Sequence, residues 1–466
     1  MLKIRNNYIL KKIFQNTTKK TILSLIKYNK KLQRKLGITT DDFEEYNQII
    51  IEIIPISNLN LNKENKFINI KKEDKNFFHI FFNDNNQEVY TNNIDSNDKI
   101  SKIKIKIDKE IQSFNGLFKN CECVKEIHFV QFNRKNILDM SDMFCECQYL
   151  DKLNLKNCKS DNVSNMESMF YWCKSLKEIN LSNFNTLNVV NMKNIFSGCS
   201  SLEKLDISNF NTSKVEDLSY LFCGCSSLKN LNLVNFNTSN VTKINSMFSG
   251  CTSMKELNLS NFDTSKVDNM SYMFRDCSNL YELNLNNFFT YKVTNMMFMF
   301  HGCSSLEELN ITNFNTSNVT NMQNMFYDCS SLKQINLTNF NTSKVINMAY
   351  MFYKCSNLSK LNLINFNTLK VTDMNHMFSN CFELKELNIS SEFNTSNVTD
   401  MSYMFKKCEV LKDLNVNSFY IKNNARIEHM FSFCCDDLII NIKKRNKMIK
   451  DKAFDNDYYP FNKTYN

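Results

Sequence analysis

The chain has 466 residues, 42% of them hydrophobic, so it can bury a large core and falls outside the disordered class. Six Gly and two Pro supply few tight-turn residues, and no apolar run is long enough to span a membrane. The net charge of +9 is local, because residues 1–35 hold eleven Lys and Arg and no acid; the remainder sums to −2, and no specific nucleic-acid surface is expected.

In chain order, residues 1–46 read as a basic helical region. Ile9, Leu10, Ile13, Phe14, Ile22, Leu23, Leu25, Ile26 and Leu32 recur at helical spacing, with lysines on the opposite side. The segments Tyr8-Ile-Leu-Lys-Lys-Ile-Phe14 and Ile22-Leu-Ser-Leu-Ile-Lys-Tyr-Asn-Lys-Lys-Leu32 look like an F-box-type module, which implies recruitment of a ubiquitin-ligase scaffold. The alternatives are a helical cap on the adjoining domain, or a basic helix on nucleic acid or in weak contact with an anionic membrane surface. Neither the apolar core of a secretory peptide nor a cysteine for lipidation is present in this stretch.

Residues 47–107 change to strand character. Ile49-Ile-Ile-Glu-Ile-Ile54, Phe67-Ile-Asn-Ile70, Phe77-Phe-His-Ile-Phe-Phe82 and Ile103-Lys-Ile-Lys-Ile107 are rich in β-formers, with Asn83-Asp-Asn-Asn86 as a turn. This predicts a small β-rich unit that caps the open sheet edge of the next region.

From 108 to 442 a 26-residue unit repeats about twelve times. Cysteines at 121, 147, 173, 199, 225, 251, 277, 303, 329, 355 and 381 keep the period, and Cys408 slips by one residue after Ser391-Glu392. A fixed period of this size signifies a solenoid. In each unit Met322, Met325, Phe326 and Cys329 stand at i, i+3, i+4 and i+7, which predicts a short helix; Ile335-Asn336-Leu337 then alternates as a strand. Phe340 and Val345 close the unit's core. The expected fold is therefore an α/β repeat, with a parallel sheet on one side and short helices on the other. At the far end, Leu438-Ile-Ile-Asn-Ile442 reads as a last strand, followed by a basic polar tail over 443–466.

The unit C-x-x-L-x-x-L-N-L-x-N-F-x-T-x-x-V-x-x-M-x-x-M-F resembles the leucine-rich-type repeat of the BspA-like surface proteins and related mycoplasma surface lipoproteins. The likeness covers about two thirds of the chain and implies a leucine-rich-repeat solenoid used for adhesion or protein binding.

The ladder cysteines read as small buried hydrophobes. Side-by-side helices lie about 8–10 Å apart, too far for a disulfide, whose Cα atoms stand within about 7 Å. Cys145 and Cys223 fall on outer positions, and unpaired thiols favour a reducing, cytoplasmic compartment over the cell surface. The Cys121-x-Cys123 and Cys145-x-Cys147 pairs do not match a standard zinc finger, so no metal and no cofactor is expected. Five scattered histidines and no phosphate-cradling glycine loop offer no foothold for catalysis.

Function therefore rests on surface columns. Outward strand positions carry Glu256, Glu282 and Glu308, beside the asparagines Asn258, Asn284 and Asn310. A column on the opposite side includes Tyr272, Phe298 and Tyr350. The asparagines are expected to form a stabilising amide ladder and the aromatics to pack between helices, but either column can bind. The predicted function is a non-catalytic protein-binding scaffold with an unidentified protein partner; a cell-surface adhesin and an F-box-like adaptor are the alternatives.

Overall fold

The computed structural model describes residues 17, 19–57, 64–95 and 98–456. The Tyr8 to Phe14 half of the F-box-like segment lies outside these residues. The rest of that segment forms α1 (Lys19–Ile26) and α2 (Lys30–Leu36), followed by α3 (Thr40–Asn47). Asn29 accepts from the Leu32 amide to cap α2, Gly37 ends it in the left-handed conformation (φ 69°), and Thr39 with Asp42 forms a capping box on α3. These helices close over their own small core of Ile26 and Leu32, with Ile22, Leu36, Ile38 and Phe43 packed around it.

The β-rich stretch is a sheet in the order β4-β3-β6-β1-β7-β8, built from β1 (Ile49–Pro55), β3 (Phe78–Phe82), β4 (Glu88–Val89), β6 (Ile103–Ile107), β7 (Val124–Gln131) and β8 (Lys152–Asn154). The short pair β2 (Asn65–Lys66) and β5 (Asn93–Ile94) lies beside it. The strand expected over 67–70 is absent, although Phe67 and Ile68 are fully buried. Asn83 and Asp84 take the predicted turn with positive φ. β7 belongs to the first coil, where it pairs antiparallel with β1 and parallel with β8, so the array's first edge is covered by hydrogen-bonded strands.

The chain then folds as a leucine-rich-repeat solenoid in a single continuous core. Its strand side holds the parallel pairs β9 (Glu178–Asn180) with β10 (Lys204–Asp206), β11 (Glu256–Asn258) with β12 (Glu282–Asn284), and β13 (Lys360–Leu363) with β14 (Glu386–Ile389). The opposite side departs from expectation, because among the described residues no coil contains a helix. The segment with apolar residues at i, i+3, i+4 and i+7 is instead a pair of tight turns, each with one residue in the left-handed region: Asn324 (φ 57°) and Asp328 (φ 53°), then Tyr350 (φ 57°) and Lys354 (φ 56°). Left-handed residues interrupt an α-helix, yet this spacing still places all four apolar side chains inward.

Hydrogen bonding explains why turns win. In one coil, Met325, Tyr327 and Cys329 donate three residues back, to Met322, Asn324 and Phe326 carbonyls. The amides between them, on Met322, Asn324, Phe326 and Asp328, donate to Asn347, Ala349, Met351 and Tyr353 of the next coil at 2.7–3.1 Å. A helix would turn the Phe326 and Asp328 amides back onto its own carbonyls and aim the free amides of its first turn along its axis, away from the next coil. It would also hold neighbours about 8–10 Å apart, whereas the phenylalanines from Phe118 to Phe454 stack at 5.2–5.8 Å between ring centres. The turn side thus carries an unbroken chain of parallel bridges from Ser113 to Arg426.

At the far end, residues 438–442 are helical rather than extended, forming α4 (Asp436–Arg445). Asp436 and Asp437 sit in its first turn and Lys443, Lys444 and Arg445 in its last, an arrangement matched to the helix dipole. Leu438 and Ile442 bury against the last coil. The described residues beyond α4 are not a free tail, since Phe431 donates its amide to the Ala453 carbonyl and Phe454 stacks on Phe431 at 5.6 Å.

Phe326 is fully buried between Phe300 (5.6 Å) and Phe352 (5.4 Å), so Phe326→Ala should destabilise by about 3–5 kcal/mol through the cavity it leaves. Its outward neighbour Gln323, substituted by Ala, should change stability by less than about 1 kcal/mol. Chemical denaturation of both variants measures the contrast.

Candidate functional site

Three polar side-chain ladders lock the coils and thereby set which residues remain for binding. The asparagine of each Asn-Phe pair reaches back one coil: Asn313 donates its side-chain amide to the Leu285, Asn286 and Phe288 carbonyls at 3.0–3.2 Å. The buried threonine three residues on reaches forward, Thr316 donating to the Asn341 carbonyl at 2.9 Å and accepting the Asn341 amide at 2.8 Å. The ladder thiols donate to phenylalanine carbonyls of the preceding coil, as from Cys329 to Phe300 and from Cys355 to Phe326, both at 3.1 Å. The recurrent N-F-x-T of the repeat unit was the available signal for the first two ladders.

These contacts correct two expectations. The column Asn258, Asn284, Asn310 is no amide ladder, because each side-chain oxygen accepts a hydrogen bond from the amide two residues on, at 3.0 to 3.3 Å, and closes the turn after its own strand. The separation argument for the cysteines also fails, since coils spaced as closely as the phenylalanine stack lie within disulfide range. What occupies each ladder thiol is its carbonyl partner. All eighteen cysteines are free, and burial pushes the Cys199, Cys277 and Cys381 thiols up to about 12, far from the reactive thiolate. Cys145, expected outside, is buried as well, its thiol also pushed up to about 12 by that burial. Among the described residues no group of three or more His, Cys, Asp or Glu side chains is placed to hold a metal ion, and Cys123 and Cys147 instead donate to the Lys66 and Phe118 carbonyls.

The strand face brings the predicted acids together. Glu256 and Glu282 are paired directly in register across β11 and β12, and both are exposed, as is Glu308 on the next coil. The strand pairing lapses at 230–232 and again beyond β12, where the 308–310 and 334–336 segments carry no ladder to their neighbours. There the face opens into a groove of about 800 Å³ lined by Tyr281, Glu282, Glu308, Asn310, Gln334 and Asn336, with Leu283, Leu309 and Ile335 at its base. Tyr281 donates its hydroxyl to Glu256, and that hydrogen bond holds its phenol above the usual range. The groove is polar at its rim and apolar at its base.

The turn face carries the aromatic column, but its rings do not pack between helices. Tyr272 stacks on Phe298 at 4.9 Å, and Tyr350, His376 and Tyr403 stack in series at 4.6 Å. A second file, His301, Tyr327 and Tyr353, runs alongside at 4.4 and 4.6 Å. Tyr272, Phe298, Tyr350, His376 and Tyr403 all have φ between 54 and 60°, a backbone state that bulky side chains rarely take. Ring faces are taken up by the stacking, which leaves ring edges outward. Coils are closest here and wider in the Phe340 column, where Phe340 and Phe366 stand 6.4 Å apart.

This architecture defines a leucine-rich-repeat-type solenoid scaffold. Four overlapping matches over residues 112–205, 198–288, 278–386 and 355–446 assign the chain to the family described as "Mycoplasma protein of unknown function, DUF285", and the chain belongs to that family. No curated protein matches it. Similar solved structures include a leucine-rich repeat protein from Bacteroides ovatus, at 16% identity and TM-score 0.39, covering 71% of this chain and 79% of that one. Another is a leucine-rich repeat protein from Eubacterium ventriosum, at 15% identity and TM-score 0.31, covering 62% and 83%. The functional domain of InlJ from Listeria monocytogenes, described as including a cysteine ladder, matches at 12% identity and TM-score 0.16, covering 71% and 69%.

The ladders have two measurable consequences. Reducing agent should leave the melting temperature unchanged, because the thiols act as hydrogen-bond donors; a large drop would reveal disulfides. Burial between Tyr350 and Tyr403 pushes the His376 imidazole down to about 4, with Lys406 adding to the effect. The fold therefore favours neutral His376, and this contribution is complete above the unfolded value near 6.5 and is lost as pH falls towards 4. In melts across that window, His376→Phe should show a smaller loss of stability on acidification than the parent chain.

Proposed function

We propose that this protein is a non-catalytic protein-binding scaffold that holds a basic partner segment along its strand-face groove, with Glu256, Glu282 and Glu308 as the charged contacts and Asn258, Asn284 and Asn310 beside them. The supporting observation is the groove itself, where two of the three acids meet an apolar base at the point where strand pairing lapses. Acids in register on adjacent strands, about 4.8 Å apart, repel one another. Folding does not require that repulsion, and a lysine- or arginine-rich segment would relieve it while covering Leu283, Leu309 and Ile335. The free thiols support placing the scaffold in a reducing compartment.

Replacing Glu256, Glu282 and Glu308 together by Gln should keep or slightly raise the melting temperature and weaken partner capture, most strongly at low salt where screening is least. Affinity pull-down with the full chain and its variants measures this. Unchanged capture by the triple variant, combined with loss of capture in folded Tyr272, Phe298 and Tyr350 variants, would move the binding face to the aromatic side.

A further inference from the structure

The basic surplus of the sequence has a definite place in the fold. The junction of α1 and α2 exposes Lys27 in the turn and Lys30 and Lys31 at the start of α2, with Arg34 one helical turn further on, and none of the four has an ion-pair partner among the described residues. The acids of this unit sit on α3, where Glu44 pairs with Lys109 at 3.7 Å. Amid the cations stand two apolar side chains that the unit's small core does not use: Leu25 is 55% exposed and Tyr28 is 92% exposed. Lys27 lies over the Tyr28 ring at 5.5 Å.

We propose that this turn is a peripheral membrane-docking tip for an anionic lipid surface. The charge selects an anionic partner, and the projecting Leu and Tyr favour a bilayer over other polyanions. An aliphatic side chain and a tyrosine ring flanked by lysines suit the headgroup boundary, where the ring's hydroxyl stays wet and its body does not. A nucleic-acid backbone would engage the same cations but give Leu25 nothing to contact. The separate core of α1, α2 and α3 allows the tip to face a membrane without disturbing the coils. The contact is reversible, because it rests on a few charges and two shallow side chains.

Co-sedimentation of the full chain with phosphatidylserine-containing vesicles, against vesicles of phosphatidylcholine alone, tests the assignment. Binding should appear with the anionic vesicles only and weaken with salt. Replacing Lys27, Lys30 and Lys31 by Gln should lower partitioning by roughly 100-fold, at about one kcal/mol per cation near the surface. Replacing Leu25 and Tyr28 by Ser, with the charges intact, should lower it by about tenfold or more. All five side chains are exposed, so an unchanged melting curve shows that each variant remains folded. The proposal is overturned by equal binding to both vesicle types, by no binding to either, or by a Leu25/Tyr28 variant that binds as the parent does. The last result, with displacement of the vesicles by RNA, would identify a general polyanion site instead.

Discussion

The step from one coil to the next governs this molecule. Parallel strands sit about 4.8 Å apart, and the phenylalanine rings between the two faces stack at 5.2–5.8 Å over the whole array. Nothing as thick as a helix fits that step, so the side opposite the strands is folded flat into turns whose alternate amides serve the neighbouring coil. Left-handed backbone is the cost of that arrangement, and Asn, Asp, Gly and Ser meet it at many coils. Where Tyr272, Phe298, Tyr350, His376 and Tyr403 stand there instead, ring stacking at 4.6–4.9 Å offsets the strain.

The same step makes the array tolerant of local error. After Ser391-Glu392 lengthens one connection, Glu392 folds back so that its carbonyl accepts from Thr368 and its carboxylate from Asn367. The stack continues undisturbed, with Phe378 and Phe405 at 5.2 Å although they are 27 residues apart. Both ends are closed by different means. A strand from the β-rich unit pairs with the first coil, while Phe454 and a short helix cover the last.

Internal ladders also decide what is available for partners. Amide, hydroxyl and thiol groups that look reactive in sequence are engaged between coils, whereas the strand-face carboxylates of Glu282 and Glu308 stay exposed. Where adjacent strands lose their pairing, those carboxylates border a groove with apolar footing. On the turn face, the rings satisfy one another, so their prominence in sequence reflects the stacking of coils before it reflects recognition.

The period, the inward residues and the solenoid class are all legible in the amino-acid order, because a 26-residue recurrence fixes which side chains must stack on their own copies. The acidic column is legible too, since outward strand positions follow from simple alternation. A short helix and a pair of turns are not distinguishable at that level, because Met322, Met325, Phe326 and Cys329 point inward in both; the hydrogen bonds to the next coil, made only in the assembled array, decide between them. The segment 438–442 has strand-like composition but helical structure for a related reason: with no further coil to pair against, its apolar residues cover the last one as a helix. The turn-closing use of Asn258 is local, reaching only the amide two residues on, whereas the roles of Asn313 and Thr316 and the lapse in strand pairing at the groove come from the folded array, since they depend on contacts across 25 or more residues or on the spacing of coils.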